Sequence, residues 1–146
     1  LGLNLYETSN FAKPGHESRH NLAYWQQHDY YAAGAGAVST LGTVRSTREK
    51  HSGRYIAAIN AGGDAIWRSE TVSPAERLTE AWMLGLRLAA GVDPTKLSTL
   101  GDNESRWRPL VNQLTDLGLL EEDVGRIRVT RQGRPVQDEI TIRLLP

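Results

Sequence analysis

With 146 residues the chain fits one ordinary domain or two small ones, and such a length hides roughly two-thirds of its unfolded surface. Apolar residues make up 39% and charged residues 23%, and 17 basic against 17 acidic side chains indicate neither disorder nor a strongly basic nucleic-acid surface. The lack of cysteine excludes disulfides, thiolate zinc sites and any iron-sulfur cluster held by this chain's own thiolates. The sequence starts at Leu1 without a methionine and has no signal pattern or apolar run of membrane-spanning length, which suggests a cytoplasmic piece of a longer protein.

Leu1, Leu3 and Leu5 alternate with Gly2 and Asn4 before Tyr6, the period of a strand that buries one face. No earlier strand exists to pair with it, so its edge needs cover from outside the sequence. A polar stretch follows to the Pro14-Gly15 turn, and His16 to His28 is polar with embedded Leu22, Tyr24 and Trp25. Tyr30 to Ser39 reads as a strand whose many Gly and Ala residues favour close approach of another backbone or a ligand, or simply tight packing.

Residues 47 to 61 place Tyr55, Ile56 and Ile59 on one helical face ahead of Gly62-Gly63, a C-cap signal. Ser73-Pro74-Ala75-Glu76 is a capping box with proline at the first helical position; Leu78, Ala81, Trp82, Gly85 and Leu88 follow and Gly91 closes the segment. A short helix is predicted around Lys96 to Leu100. Another, from about Glu104 to Leu117, carries Trp107, Leu110, Val111 and Leu114 at burial spacing. Leu119 to Glu121 and Arg126 to Thr130 flank Asp123-Val124-Gly125 as a hairpin. A last helix, Gln132 to Leu144, contains Pro135, which tightens or kinks its first turn. Helix, helix, hairpin, helix is a winged-helix-like order.

The runs Asn10-Phe11-Ala12-Lys13-Pro14-Gly15-His16-Glu17, His20-Asn21-Leu22-Ala23-Tyr24-Trp25, Asp29-Tyr30 and Gly34-Ala35-Gly36-Ala37 resemble, in order and spacing, the S-N-F-A-K-P-G-H, H-N-x-x-Y-W and G-x-G-A runs of the oxygen-independent coproporphyrinogen III oxidase-like radical SAM family, and most of all its haem-chaperone branch. Arg54-Tyr55-Ile56, Glu80, Met83 to Arg87 and Leu117 to Glu121 extend the likeness over nearly the whole chain. The resemblance implies an α/β fold. Residues 1–45 would supply the last strands of a partly open, TIM-like radical SAM barrel, and residues 46–146 an α-rich, winged-helix-like C-terminal domain. It further implies a function in haem metabolism, as part of a chaperone that binds haem and delivers it to acceptor proteins; the alternative within the family is anaerobic oxidative decarboxylation of coproporphyrinogen III. The family's C-x-x-x-C-x-x-C motif, which holds a four-iron four-sulfur cluster, is absent. This chain without the missing N-terminal barrel half should therefore not cleave S-adenosylmethionine.

On the same resemblance, His20 is the candidate axial ligand to haem iron, with Asn21, Tyr24 and Trp25 beside it; Tyr24 and Trp25 can pack on a macrocycle or simply brace the fold, and Asn21 can cap a turn. Gly34, Gly36 and Ala37 correspond to the strand that passes beside S-adenosylmethionine, where small side chains leave room for the ligand. Val38 stands where haem-chaperone members usually have histidine, so no role is carried over to it.

Two other chemistries compete with these. His16-Glu17-Ser18-Arg19-His20 matches H-E-x-x-H in form, but Pro14-Gly15 directly precedes it and no third ligand is evident, so a metalloprotease zinc site is not expected. Arg126, Arg128, Arg131 and Arg134 near the hairpin offer a nucleic-acid-binding module, yet Glu121, Glu122, Asp123, Asp138 and Glu139 lie among them and favour a solvated, ion-paired surface.

Overall fold

Of the alternating leucines at the start, Leu5 lies in a strand and Leu3 does not: β1 (Asn4–Glu7) turns back into β2 (Asn10–Ala12) as an antiparallel hairpin with Leu5 opposite Phe11. The computed structural model describes residues 2–146, so the first of the alternating leucines, Leu1, lies outside the described residues. The cover expected from an external strand is partly internal. The Tyr6 carbonyl accepts the Ala89 N–H at 3.0 Å, the Thr8 N–H donates to the Arg87 carbonyl at 2.9 Å, and Glu7 forms an antiparallel bridge with Leu88. Leu3 stays 52% exposed.

The next element, α1 (Arg19–Trp25), lies in the polar stretch to which sequence periodicity assigned no element. Ser18 caps it, its Oγ accepting the Asn21 N–H at 3.3 Å, and none of its residues is buried. The chain then divides into two compact units, residues 28–73 in one, and the N-terminal residues to 27 together with 74–146 in the other.

In the smaller unit, β3 (Val38–Leu41), β4 (Val44–Arg48) and β5 (Ile66–Thr71) form an antiparallel sheet in that order, and α2 (Ser52–Asn60) lies between β4 and β5 in sequence. Two expectations change here. The helix predicted over 47–61 starts at Ser52, since Thr47 and Arg48 are drawn into β4 by pairing with Arg68 and Ile66 of β5. The strand predicted over 30–39 is largely a loop, because Gly34 and Gly36 take φ of 118° and 74°, outside the extended region; only Tyr30, bridged to Thr40, and the residues from Val38 are strand-like. The 45/46 division falls inside β4, in the middle of this sheet. The buried residues of the unit are Ser39, Thr40, Arg48, Ala65 and Val72, whereas Leu41, Val44, Ile56, Ile59, Ile66 and Trp67 are exposed.

The larger unit owns the apolar core. α3 (Pro74–Gly85) ends at Gly85 rather than running on to Gly91, and α4 (Pro94–Thr99), capped by the Asp93 carboxylate, and α5 (Glu104–Asp116), capped by Asn103, follow. β6 (Leu120–Asp123) and β7 (Arg126–Val129) form the expected hairpin through Val124 and Gly125, whose φ of 48° and 72° are those of a two-residue primed turn. Pro135 falls in a 3-10 turn, Arg134–Val136, from which α6 (Gln137–Leu144) continues, in keeping with the tightened first turn predicted for it. Trp82, Leu86, Leu97, Trp107, Val111, Leu114, Leu120, Ile127, Ile140 and Leu144 are buried together, each large side chain contributing about 1.5–3 kcal/mol. The Trp82 and Trp107 rings meet edge to face at 5.7 Å.

A polar staple crosses this core. Buried Asp102 accepts the Trp82 indole N–H at 2.8 Å and two Arg106 bonds, from Nε at 2.9 Å and Nη2 at 2.7 Å, while Arg106 Nη1 also donates to the Leu144 carbonyl at 2.9 Å. Gln137 Nε2 donates to Thr8 Oγ1 and to the Leu86 carbonyl, both at 3.2 Å, tying the N-terminal hairpin and α3 to α6. Every strand pair among the described residues is antiparallel.

Candidate functional site

Two groups of candidate residues emerge, one in each unit. His20, Asn21, Tyr24 and Trp25 all lie on α1. His20 and Tyr24 are one turn apart and both exposed, so an imidazole and a phenol ring share the solvent side of the helix. Trp25 is half-buried and meets the Tyr24 ring edge to face at 5.4 Å. Asn21 is not the cap; its backbone N–H is the group that Ser18 caps, and its Nδ2 lies 3.5 Å from the Tyr6 hydroxyl of β1, at the limit of hydrogen bonding. The local sequence explains the arrangement. Pro14-Gly15 turns the chain, the His16 N–H donates to the Lys13 carbonyl at 2.9 Å, and Ser18 starts the helix one residue before Arg19.

His16 precedes α1, so His16 and His20 do not share a helical face as H-E-x-x-H zinc chemistry requires, and no cluster of metal-ligating side chains occurs among the described residues.

Gly34, Gly36 and Ala37 form a tight turn ahead of β3 rather than a strand. The Ala37 N–H donates to the Gly34 carbonyl at 3.2 Å, and the Ala37 carbonyl accepts the Arg48 N–H at 2.9 Å. The Gly36 N–H donates to the Glu49 carbonyl at 2.9 Å, and the Gly34 N–H to the Tyr55 hydroxyl at 3.1 Å. Ala32 is held on both sides, its N–H by Ser39 Oγ at 2.9 Å and its carbonyl by Arg48 Nε at 2.9 Å. Arg48, only 4% exposed, also donates to the Asp64 carbonyl and stacks its guanidinium 4.9 Å from the Tyr31 ring centroid. Sequence reasoning singled out neither Arg48 nor Tyr55 for this work. Tyr55 sits on the helix that was predicted, but Arg48 looks in sequence like one more charge in the polar run Arg45 to Arg54.

Of the four arginines near the hairpin, two are spent internally. Arg126 donates to the carbonyls of Ala90 and Gly91 at 2.8 Å each and pairs with Asp93 at 3.4 Å; Arg128 pairs with Glu121 and Asp123 at 3.0 Å each. Arg131 and Arg134 are exposed. Nearby, Asp93 lies below the usual carboxylate range because of the Thr95 side-chain hydrogen bond, and Lys96 is lowered by burial and by the neighbouring charges of Arg77 and Arg126.

Residues 72–136 match the HemN C-terminal domain family. Over most of its length the chain is similar to proteins of the radical SAM, oxygen-independent coproporphyrinogen III oxidase-like kind. Among its relatives, a Bacillus subtilis protein named heme chaperone HemW is 31% identical over 141 residues, covering 95% of this chain and 37% of the relative. The Synechocystis protein of that name is 37% identical over 121 residues, covering 80% of this chain and 28% of the relative. The solved structure of the Escherichia coli radical SAM enzyme HemN, a coproporphyrinogen III oxidase, shares the fold with a TM-score of 0.70 and 18% identity, over 99% of this chain and 37% of that one. The chain thus spans only 28–37% of the length of these proteins. No helix among the described residues is long and apolar enough to cross a membrane.

Proposed function

We propose that the chain is the C-terminal portion of a cytoplasmic radical SAM haem chaperone, which binds haem and delivers it to acceptor proteins. The observation that carries this is the face of α1, where His20 and Tyr24 stand exposed one turn apart; the name shared by its relatives supports it. Bound haem would supply the iron, and His20 would offer a ring nitrogen to it while Asn21, Tyr24 and Trp25 flank the contact. The Gly34–Ala37 turn would border S-adenosylmethionine, its glycines admitting a ligand close to the backbone. A four-iron four-sulfur cluster does not fit this chain, which has no cysteine, and would belong to other residues of the intact protein. Residues 1–45 would then complete the barrel, and 46–146 form the winged-helix-like C-terminal domain.

The test is His20→Ala in the full-length protein, with His51→Ala as control. The expected result is weakened haem binding or a changed Soret band with unchanged far-UV circular dichroism. A lowered melting temperature with an untouched haem spectrum would make His20 a structural brace and remove the haem assignment.

A further inference from the structure

The loop that carries Gly34, Gly36 and Ala37 is not shaped by its own sequence alone. Positive φ at Gly34 and Gly36 permits the turn, but many loop shapes have such angles; what selects this one is a set of anchors from β3, β4 and α2. We propose that Arg48 and Tyr55 are positioning residues that hold the Gly34–Ala37 turn in the form that meets S-adenosylmethionine in the intact protein. The inference rests on the assignment of that turn to S-adenosylmethionine made above.

Three features of Arg48 separate it from an ordinary surface cation. It is 4% exposed in a unit whose interior is otherwise Ser39, Thr40, Ala65 and Val72, so its charge has been taken out of water for what it contacts. Among the described residues its guanidinium forms no ion pair with a carboxylate; its donors go to backbone carbonyls at two separated points of the chain, Ala32 and Asp64. Its backbone N–H holds the Ala37 carbonyl, so one residue fixes both ends of the segment from Ala32 to Ala37. A planar fork of donors reaches two such carbonyls at once, which an ammonium group on a flexible stem cannot do with the same geometry.

Tyr55 acts between those ends. Its hydroxyl accepts the Gly34 N–H at 3.1 Å, the point at which the chain enters the turn. Loss of the hydroxyl leaves the ring and the helix in place and frees the glycine to sample other φ values. Residues that support a ligand-bearing segment without touching the ligand are felt in affinity before they are felt in folding.

The experiment uses the full-length protein, with S-adenosylmethionine as probe and its dissociation constant and the melting temperature as paired readouts. Tyr55→Phe and Arg48→Lys are compared with Gly36→Val, which alters the turn itself, and with Arg68→Gln on exposed β5 as control. Tyr55→Phe and Arg48→Lys are each expected to weaken binding by about tenfold, Tyr55→Phe with melting close to that of the control and Arg48→Lys with a lower melting temperature. If Gly36→Val weakens binding and the two supporting variants do not, the positioning role is overturned while the ligand assignment stands. If Gly36→Val leaves binding unchanged, the ligand assignment itself fails and takes the positioning role with it. Should Arg48→Lys not fold, Tyr55→Phe decides alone: unchanged affinity, with or without a lower melting temperature, refutes the proposal.

Discussion

Replacing Asp102 by Asn tests the polar staple of the larger unit. The side chain is 2% exposed and accepts one indole and two guanidinium hydrogen bonds, at 2.7 to 2.9 Å. Breaking a fully buried ion pair from one side costs about 3–5 kcal/mol, because the partner charge is stranded. Arg106, however, keeps 33% of its side chain exposed and two carbonyl acceptors, so water and the α6 terminus compensate part of the loss. Asn also retains an acceptor for Trp82. The expected loss is therefore about 2–3 kcal/mol at neutral pH, which lowers the melting temperature by about 4–12 °C for a chain of this size.

The pH dependence sharpens that test. Burial pushes the Asp102 carboxyl up, but the Arg106 hydrogen bonds, the Trp82 N–H and the Arg106 charge outweigh it, and its pKa falls below the ordinary 3.8. A carboxyl with a lowered folded pKa contributes in full above its unfolded value and loses that contribution as pH falls through the folded one. Urea denaturation of wild type and Asp102→Asn should show a stability gap that is constant near neutrality and narrows as pH falls through 3.8 and below. A gap that persists unchanged into that acid range, or no gap at pH 7, refutes the account.

Gly91→Ala should be severe: at φ +73° its Cβ would stand 2.2 Å from the Ile127 carbonyl oxygen, so a loss of at least about 3 kcal/mol in urea denaturation is expected, and a loss under about 1 kcal/mol would contradict the close approach. Val124→Asn should stabilise by about 1 kcal/mol, since a β-branched residue at φ 48° occupies the first position of a turn that asparagine prefers; a lower melting temperature would argue against this turn geometry. Because Arg126 and Arg128 are committed to internal partners, the chain should bind duplex DNA no more tightly than about 10⁻⁴–10⁻⁶ M at physiological salt, and tight sequence-dependent retardation in a gel would restore the nucleic-acid alternative.

What was legible in the sequence follows what was buried. α3 and α5 bury Leu78, Ala81 and Trp82, and Trp107, Val111 and Leu114, at helical spacing, and Asn103 caps α5. α1 buries nothing and β5 is exposed at all six positions, so neither leaves a periodic trace. Small residues misled in the opposite direction. The Gly and Ala run from Ala32 to Ala37 is apolar enough to pass for a strand, whereas glycine's tolerance of positive φ is what the fold uses there.

The α1 candidates were legible only through their resemblance to a family, since His, Asn, Tyr and Trp at that spacing carry no chemistry that periodicity can detect. Arg48 was not legible by either route. Sixteen residues separate it in both directions from the carbonyls it holds, at Ala32 and Asp64, so no local window contains the interaction. Arg45, three residues earlier in the same strand, has the same chemistry and similar neighbours, yet it is only half-buried. Three residues apart in a strand, the two side chains point to opposite faces, and only that of Arg48 is buried. Which face becomes covered is set by how the strands and the loop pack, a tertiary fact that a run of Arg, Ser, Thr and Glu does not encode locally.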